Sequence, residues 1–347
     1  MSHALCYNII DITFMERISA KMLWLYIVLI AFVVFLLVSF TIVALMFQGA
    51  LGRKSKNDKS SVDTASLMPA FAPFREQIKR DREWYYAQPR REVSIKSYDG
   101  LTLYADVLEA ENAVATVLLM HGYRGSGASD FSMVLPFYHK NGINIVCPDQ
   151  RSCGRSEGNY VTLGAKERHD CLAWLQFISK EFGEDLPIIM DGVSMGATTI
   201  LMTTALDMPK NVKGVIADCG FTSPWEIVCS VLRETKTIPV FPFAWFAKPV
   251  AKLLGGFSLT EASTEDAMKV CKVPIFFAHG KKDRFVPYEM SVKNYNACAS
   301  DKEFFTVDEA EHGMCFLLEQ EEYEKRILTF FGKCFGFREI QKESAGK

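Results

Sequence analysis

The chain has 347 residues, enough for one large single-core domain or two small ones, and its 39 basic and 41 acidic side chains leave a net charge of −2. That balance argues against a nucleic-acid or polyanion partner. Ten cysteines are scattered singly, without CxxC pairs or spaced Cys/His clusters, so zinc and thioredoxin-like chemistry lack their ligands; most read as small buried hydrophobes, a usage that suits a reducing compartment.

Residues 1–21 form an N-terminal flank. Residues 22–47 (MLWLYIVLIAFVVFLLVSFTIVALMF) carry no charge, with Ser39 and Thr41 as their small polar side chains. At about 1.5 Å per residue this run exceeds the roughly 30 Å of a hydrocarbon core, so it is expected to cross a bilayer once as a tilted helix. A cleaved signal peptide would have an apolar region of only about 7–15 residues, and Ala50 and Gly52 offer a weak cleavage pattern. Arg17 and Lys21 precede the run, whereas Arg53, Lys54, Lys56 and Lys59 follow it. The excess after the span places the remaining domain on the cytoplasmic side. Residues 48–73 are expected to be a linker, because the stretch from Gly52 to about Pro69 is rich in Lys, Ser, Asp and Asn and lacks apolar periodicity.

Residues 74–347 are expected to be the catalytic domain. Residues 74–86 look helical, and REVSIKSYDGLTLYADVLEA then shows two β-rich runs joined by Asp99 and Gly100, a strong hairpin signal. Short apolar strands follow at 116–120, 143–147, 187–190, 212–218, 274–278 and 303–307, alternating with helical stretches. Such alternation predicts a largely parallel sheet with helices on both faces. The interval 221–272 is far longer than an ordinary connection and contains IPVFPFAWFAKPVAKLLGG, so it is expected to be a small helical lid. Phe241, Phe243, Trp245 and Phe246 in it could line an acyl pocket, rest on a bilayer, or pack the lid down. A final helix is expected over about 315–334.

The motif Gly192-Val193-Ser194-Met195-Gly196 follows an apolar strand and precedes the helix-compatible run ATTILMTTAL, the context that a nucleophile turn requires. The flanking glycines allow a tight turn that presents the Ser194 hydroxyl at the carboxyl edge of the sheet. A serine needs a histidine base and a carboxylate to fix the tautomer of that base. His312 and Asp283 follow two later strands, on loops at the same edge. His279 is a second candidate base and Asp218 a second candidate acid, whereas His139 and His169 lie in helical stretches with polar neighbours. For the oxyanion, the Met195 amide supplies one donor; in LLMHGYRGSG, Gly122 lets the loop bend so that the Tyr123 amide supplies another.

In order, HGYRGS, PDQRSCGRSEG, GVSMGA, HGKKDRFVP and EHG resemble the signatures of the α/β-hydrolase superfamily over about residues 90–335. The N-terminal anchor and short lid are similar to bacterial hydrolases grouped with serine aminopeptidase-like and lysophospholipase-like enzymes. The resemblance implies an α/β-hydrolase fold: a mostly parallel eight-stranded sheet with helices on both faces and a small helical lid, here preceded by one transmembrane helix. It also implies Ser194, Asp283 and His312 as a triad and Tyr123 and Met195 as the oxyanion hole, with no metal or organic cofactor. One departure is Ser152, where the family more often has glycine after the arginine; Asp149 and Arg151 in that loop are expected to form a structural ion pair. The chemistry expected is hydrolysis of a small-molecule carboxylic ester with a hydrophobic part. Amide, peptide and thioester hydrolysis, acyl transfer to another acceptor, and a non-catalytic membrane-tethered binding protein remain alternatives. No sequence feature fixes the oligomeric state.

Overall fold

The computed structural model describes residues 2–54, 69–236 and 240–337. Eight strands form one sheet in the order β1 (Arg91–Lys96), β2 (Thr102–Leu108), β4 (Ile143–Pro148), β3 (Ala115–Met120), β5 (Ile188–Val193), β6 (Val212–Asp218), β7 (Ile275–Gly280) and β8 (Lys302–Val307). β1 and β2 are an antiparallel hairpin, β2 also runs antiparallel to β4, and every later pairing is parallel. The hairpin turn is held by Ser97 Oγ, which donates to Asp99 Oδ1 at 2.7 Å, and by Gly100 at φ +87. Every residue of β3 and β4 is buried, as continuous apolar strands covered on both faces must be.

The longer helices among the described residues are, in chain order, α1 (Ser2–Leu51), α2 (Arg75–Ala87), α3 (Leu135–Lys140), α4 (Glu167–Phe182), α5 (Met195–Thr203), α6 (Pro224–Thr235), α7 (Val240–Val250), α8 (Thr264–Val270), α9 (Tyr288–Ala297) and α10 (Gln320–Phe335). One core lies between the sheet and α2, α3 and α10, around Tyr138, Phe276 and Phe331. The second lies on the opposite face under α4, α5 and α8, around Trp174, Leu201 and Met268. The interval 221–272 thus holds two kinds of structure: α6 and α7 stand over the carboxyl ends of the strands, while Ala267 and Met268 of α8 belong to the second core. The C-terminal helix is broken at Glu319 (φ −131, ψ 44) into a single turn, Cys315–Leu318, and α10.

A third core sits at the carboxyl end of the sheet, and α1 contributes Val43, Phe47 and Leu51 to it. The apolar helix therefore runs past the expected end of the span at residue 47. Gly52 pairs with Tyr160, and the amide of Arg53 donates to Asn159 O at 2.7 Å, so the start of the expected linker is joined to the domain. Residues 55–68 lie outside the described residues. Tilt and membrane crossing aside, Ala20–Leu51 is a helix long and apolar enough to span a bilayer.

Candidate active site

Ser194 occupies the turn between β5 and α5 with φ +55 and ψ −116. The flanking glycines make this turn possible for steric reasons. A Cβ at Gly192 would lie 2.6 Å from the Gly196 carbonyl carbon, and one at Gly196 only 1.7 Å from Met120 O. The Ser194 amide donates to Asp218 O at 2.8 Å, and Ser194 O accepts from the Thr198 amide at 3.0 Å, which fixes the turn between β6 and the first turn of α5. All nine residues of α5 are buried, and the positive end of its dipole faces the serine.

Asp283 lies in the turn after β7. Its Oδ1 accepts from the amides of Phe285 and Val286, both at 2.9 Å, and its Oδ2 lies 2.7 Å from His312 Nδ1 and 3.1 Å from His279 Nε2. Burial alone would push this carboxyl up, but hydrogen bonds from His279 and His312 outweigh it and hold the group well below the usual carboxylate range. The ionised carboxylate therefore receives Nδ1–H of His312 and leaves Nε2 free to accept a proton. His279 is buried; its Nδ1 faces Ser291 Oγ at 2.7 Å and its Nε2 also meets Val286 O at 3.0 Å, so both nitrogens are committed to holding the turn. Asp218 is not the partner of His312. Its Oδ1 has no hydrogen bond, and burial first, with the negative Asp283 nearby, pushes its carboxyl up to about 6 against the opposing pull of His279 and His312.

Nε2 of His312 lies 3.9 Å from Cys219 Sγ, and the His312 ring meets Phe285 edge-on at 5.1 Å. Among the described residues, Ser194 Oγ makes no hydrogen bond. Cys219, at φ +48, is the neighbour that the sequence did not single out; its signal is only its place directly after β6. Cys219, Asp283 and His312 offer ligand atoms within 4.8 Å of one another, but the donor set does not suit a metal. Both oxygens of Asp283 are already committed, and burial, then Asp218 and Asp283, hold the Cys219 thiol well above its ordinary range and so neutral.

The loop after β3 approaches Ser194 through Gly122, where a Cβ would stand 3.6 Å from Ser194 Cβ. Gly122 N donates to Asp130 Oδ2 at 2.8 Å, and buried His121 braces the loop: its Nε2 accepts from Gln150 N at 3.0 Å, leaving Nδ1 to donate to Gly122 O at 2.7 Å. The amides of Tyr123 and Met195 donate to no protein acceptor among the described residues. In the neighbouring loop the expected Asp149–Arg151 pair does not form. Arg151 turns inward to Asp170 (2.6 Å) and Asp99 (3.0 Å), while Asp149 binds Arg155 at 2.8 Å. The reason is competition: the left-handed backbone at Ser152 (φ +64) and Gly154 (φ +49) turns the chain back so that the Arg155 amide and guanidinium both reach Asp149 Oδ2, while Arg151 is taken by Asp170 and Asp99. His139 and His169 lie away from the site, against Trp84 and Tyr98.

Above Ser194 lies a cavity of about 310 Å³. Its walls are apolar: Val43, Met46, Phe47, Ala50 and Leu51 from α1, Ile227, Val228, Val231 and Leu232 from α6, Phe243 and Ala247 from α7, with Leu163, Phe221, Leu259 and Phe285. Ser194 and Tyr123 bring the only hydroxyls, and no charged side chain lines it among the described residues. Of the four aromatics singled out on α7, Phe243 faces this cavity, whereas Phe241 and Trp245 are 72% and 63% exposed.

A profile of the α/β-hydrolase fold matches residues 115–246. The chain is 25% identical over 215 residues to the uncharacterised protein YqkD of Bacillus subtilis, covering 62% of this chain and 70% of YqkD. It is also 25% identical over 244 residues to the mouse lysophosphatidylserine lipase ABHD12, covering 63% of this chain and 57% of that protein. Among solved structures, the Pyrococcus furiosus esterase Pf2001 superposes with a TM-score of 0.60 at 24% identity, covering 73% of this chain and 94% of the esterase. The sheet order, the strained serine turn and these matches together show that the chain has the α/β-hydrolase fold.

Proposed function

We propose that this protein is a membrane-anchored serine hydrolase that cleaves carboxylic esters with a hydrophobic acyl or alcohol part. The observation that carries this reading is the 2.7 Å contact between Asp283 Oδ2 and His312 Nδ1 at the strand edge that also carries the Ser194 turn, beneath an apolar cavity. Ser194 Oγ attacks the ester carbonyl while His312 Nε2 takes its proton and Asp283 stabilises the imidazolium. The amides of Tyr123 and Met195, which have no acceptor among the described residues, receive the oxyanion. The imidazolium then protonates the leaving alcohol, and a water deprotonated by His312 releases the acyl group as the acid. Ser194 Oγ must meet Nε2 when substrate is bound, a hydrogen bond that commonly tightens only in the Michaelis complex.

The uncharged lining favours esters over peptides with a free amino terminus, since among the described residues it holds no carboxylate to receive one. Esterase and lipase relatives support the same choice. The larger count of basic residues after the span, Arg53, Lys54, Lys56 and Lys59 against Arg17 and Lys21, supports a cytoplasmic catalytic domain.

A fluorophosphonate probe on the full-length protein in detergent tests the mechanism. Wild type is expected to be labelled and Ser194→Ala not, with turnover of a medium-chain 4-nitrophenyl ester falling at least about 10³-fold in Ser194→Ala and His312→Ala. Equal resistance of wild type and Ser194→Ala to the probe defeats the proposal.

A further inference from the structure

The apolar helix enters the hydrolase body instead of stopping beside it. Val43, Phe47 and Leu51, four residues apart, are buried, whereas the large apolar side chains from Met22 to Val38 and Ile42 are almost all exposed. That exposed run, about 21 residues at about 1.5 Å each, matches the roughly 30 Å of a hydrocarbon core. The turns beyond it are held by bonds to the site. The Phe47 ring stands 5.5 Å from Tyr160 and 6.4 Å from Phe257, and the Val161 amide donates to Leu51 O at 2.8 Å. The loop that carries the Tyr123 amide grips the helix end: the Tyr123 hydroxyl donates to Ala50 O, and Arg124 Nη2 donates to Gly49 O at 3.1 Å and Gly52 O at 2.8 Å. A cation on the last carbonyls is where the helix dipole favours one.

The same turns wall the cavity over Ser194, with Val43, Met46, Phe47 and Ala50 opposite Val228 and Phe243. α7 packs against α1, and Phe241, Trp245, Leu253 and Leu254 of α7 and the following turn are exposed apolar side chains as well. The cavity therefore sits within a few turns of the end of the exposed apolar run and shares a wall with it.

We propose that the end of α1 is part of the active site: it lines the cavity that takes the hydrocarbon chain of the substrate and braces the Tyr123 loop, so that the substrates are amphiphilic esters dissolved in the bilayer, reaching Ser194 along α1. This inference rests on the serine-hydrolase reading. Val43, Met46, Phe47 and Ala50 are then specificity-determining residues that lie outside the hydrolase domain proper, in the membrane anchor.

The test uses the full-length protein in phosphatidylcholine nanodiscs and an alkyl fluorophosphonate bearing a diazirine at the end of a ten-carbon chain. After reaction at Ser194 and irradiation, adducts are expected in the peptide that contains residues 43–51. Labelling of Ser194 with adducts confined to peptides outside 43–51 overturns this proposal and leaves the hydrolase reading intact. No labelling at Ser194 overturns the hydrolase reading, and this inference with it. A second measurement is the ratio of kcat/KM for 4-nitrophenyl decanoate to that for the acetate. Each buried methylene is worth about fourfold, so filling the cavity with Ala50→Phe is expected to lower the ratio at least tenfold, and a ratio within twofold of wild type argues against the wall.

Discussion

Ser194 and Ser152 both hold left-handed backbone, at φ +55 and +64, but for opposite reasons. At Ser194 the turn is closely packed, with no space for a Cβ at Gly192 or Gly196, and it presents a hydroxyl to the cavity. At Ser152 no such use is visible: Oγ is buried without a hydrogen-bond partner, and a Cβ at Gly158 would meet it at 2.6 Å. A non-glycine residue in this region costs roughly 1–2 kcal/mol, and a buried hydroxyl without a partner adds to that. The greater unfolded-state freedom of glycine offsets part of the gain. Ser152→Gly is therefore expected to stabilise the domain by about 1 kcal/mol, read as a rise of ~2–4 °C in Tm with the same ester turnover. A lower Tm would mean that Ser152 makes a contact the backbone argument misses.

At the scale of elements, β5 carries a second buried carboxyl, Asp191, three residues before Ser194. Asp191 accepts from the Tyr138 hydroxyl at 2.6 Å, and burial first, with Asp218 on β6 adding to it, pushes its carboxyl up to about 7. A folded pKa above the unfolded value of about 3.9 means stability that is fully present below pH ~4 and is lost as pH rises through about 7. Asp218, raised to about 6, acts with the same sign. Asp191→Asn keeps an acceptor for Tyr138 without the titration, so its Tm is expected to fall less steeply than wild type between pH 4 and 8, with the residual slope due to Asp218. Identical slopes by differential scanning fluorimetry would place the titration elsewhere. The strands themselves were legible because each is a short apolar run bounded by turn residues, and the Asp99-Gly100 hairpin because its turn chemistry is local. Ser194, Asp283 and His312 were legible as the polar residues at three strand ends. The partner of Arg151 was not, since Asp99 comes to it from the β1–β2 hairpin and Asp170 from α4, elements far from it in sequence. Nor was the sharing of Asp283 Oδ2 by two imidazoles, or the thiol beside His312, because both depend on how the loops after β6, β7 and β8 fold over one another.

For the whole molecule, the consequential feature is that the apolar helix and the hydrolase-fold body share a core. Hydropathy identifies the apolar run but cannot tell which side of it is buried, because no polar face marks the stripe Val43, Phe47, Leu51 within an almost uniformly apolar sequence. Cutting the chain after residue 68 would appear, from sequence, to free an intact soluble domain. In the structure it uncovers the apolar walls formed by Phe221, Ile227, Val250 and Phe257, leaves the Val161 amide without its acceptor on Leu51, and leaves Arg124 without the carbonyls of Gly49 and Gly52. Burying Val43, Phe47 and Leu51 contributes roughly 1.5–3 kcal/mol each before the cost of ordering the helix end, so the loss is several kcal/mol even after that offset. At ~2–4 °C per kcal/mol, a protein beginning at Pro69 should melt at least ~5 °C below the full-length chain in the same detergent. It should also bind more of a hydrophobic dye, since the vacated wall is a contiguous apolar patch. Ester turnover should fall as well, because the Tyr123 loop loses its brace, and it should fall more for long acyl chains than for acetate. A truncated protein with an unchanged melting temperature and an unchanged chain-length profile would mean that the helix end only rests on the domain, and that the enzyme works as well from a loose tether as from a fixed one.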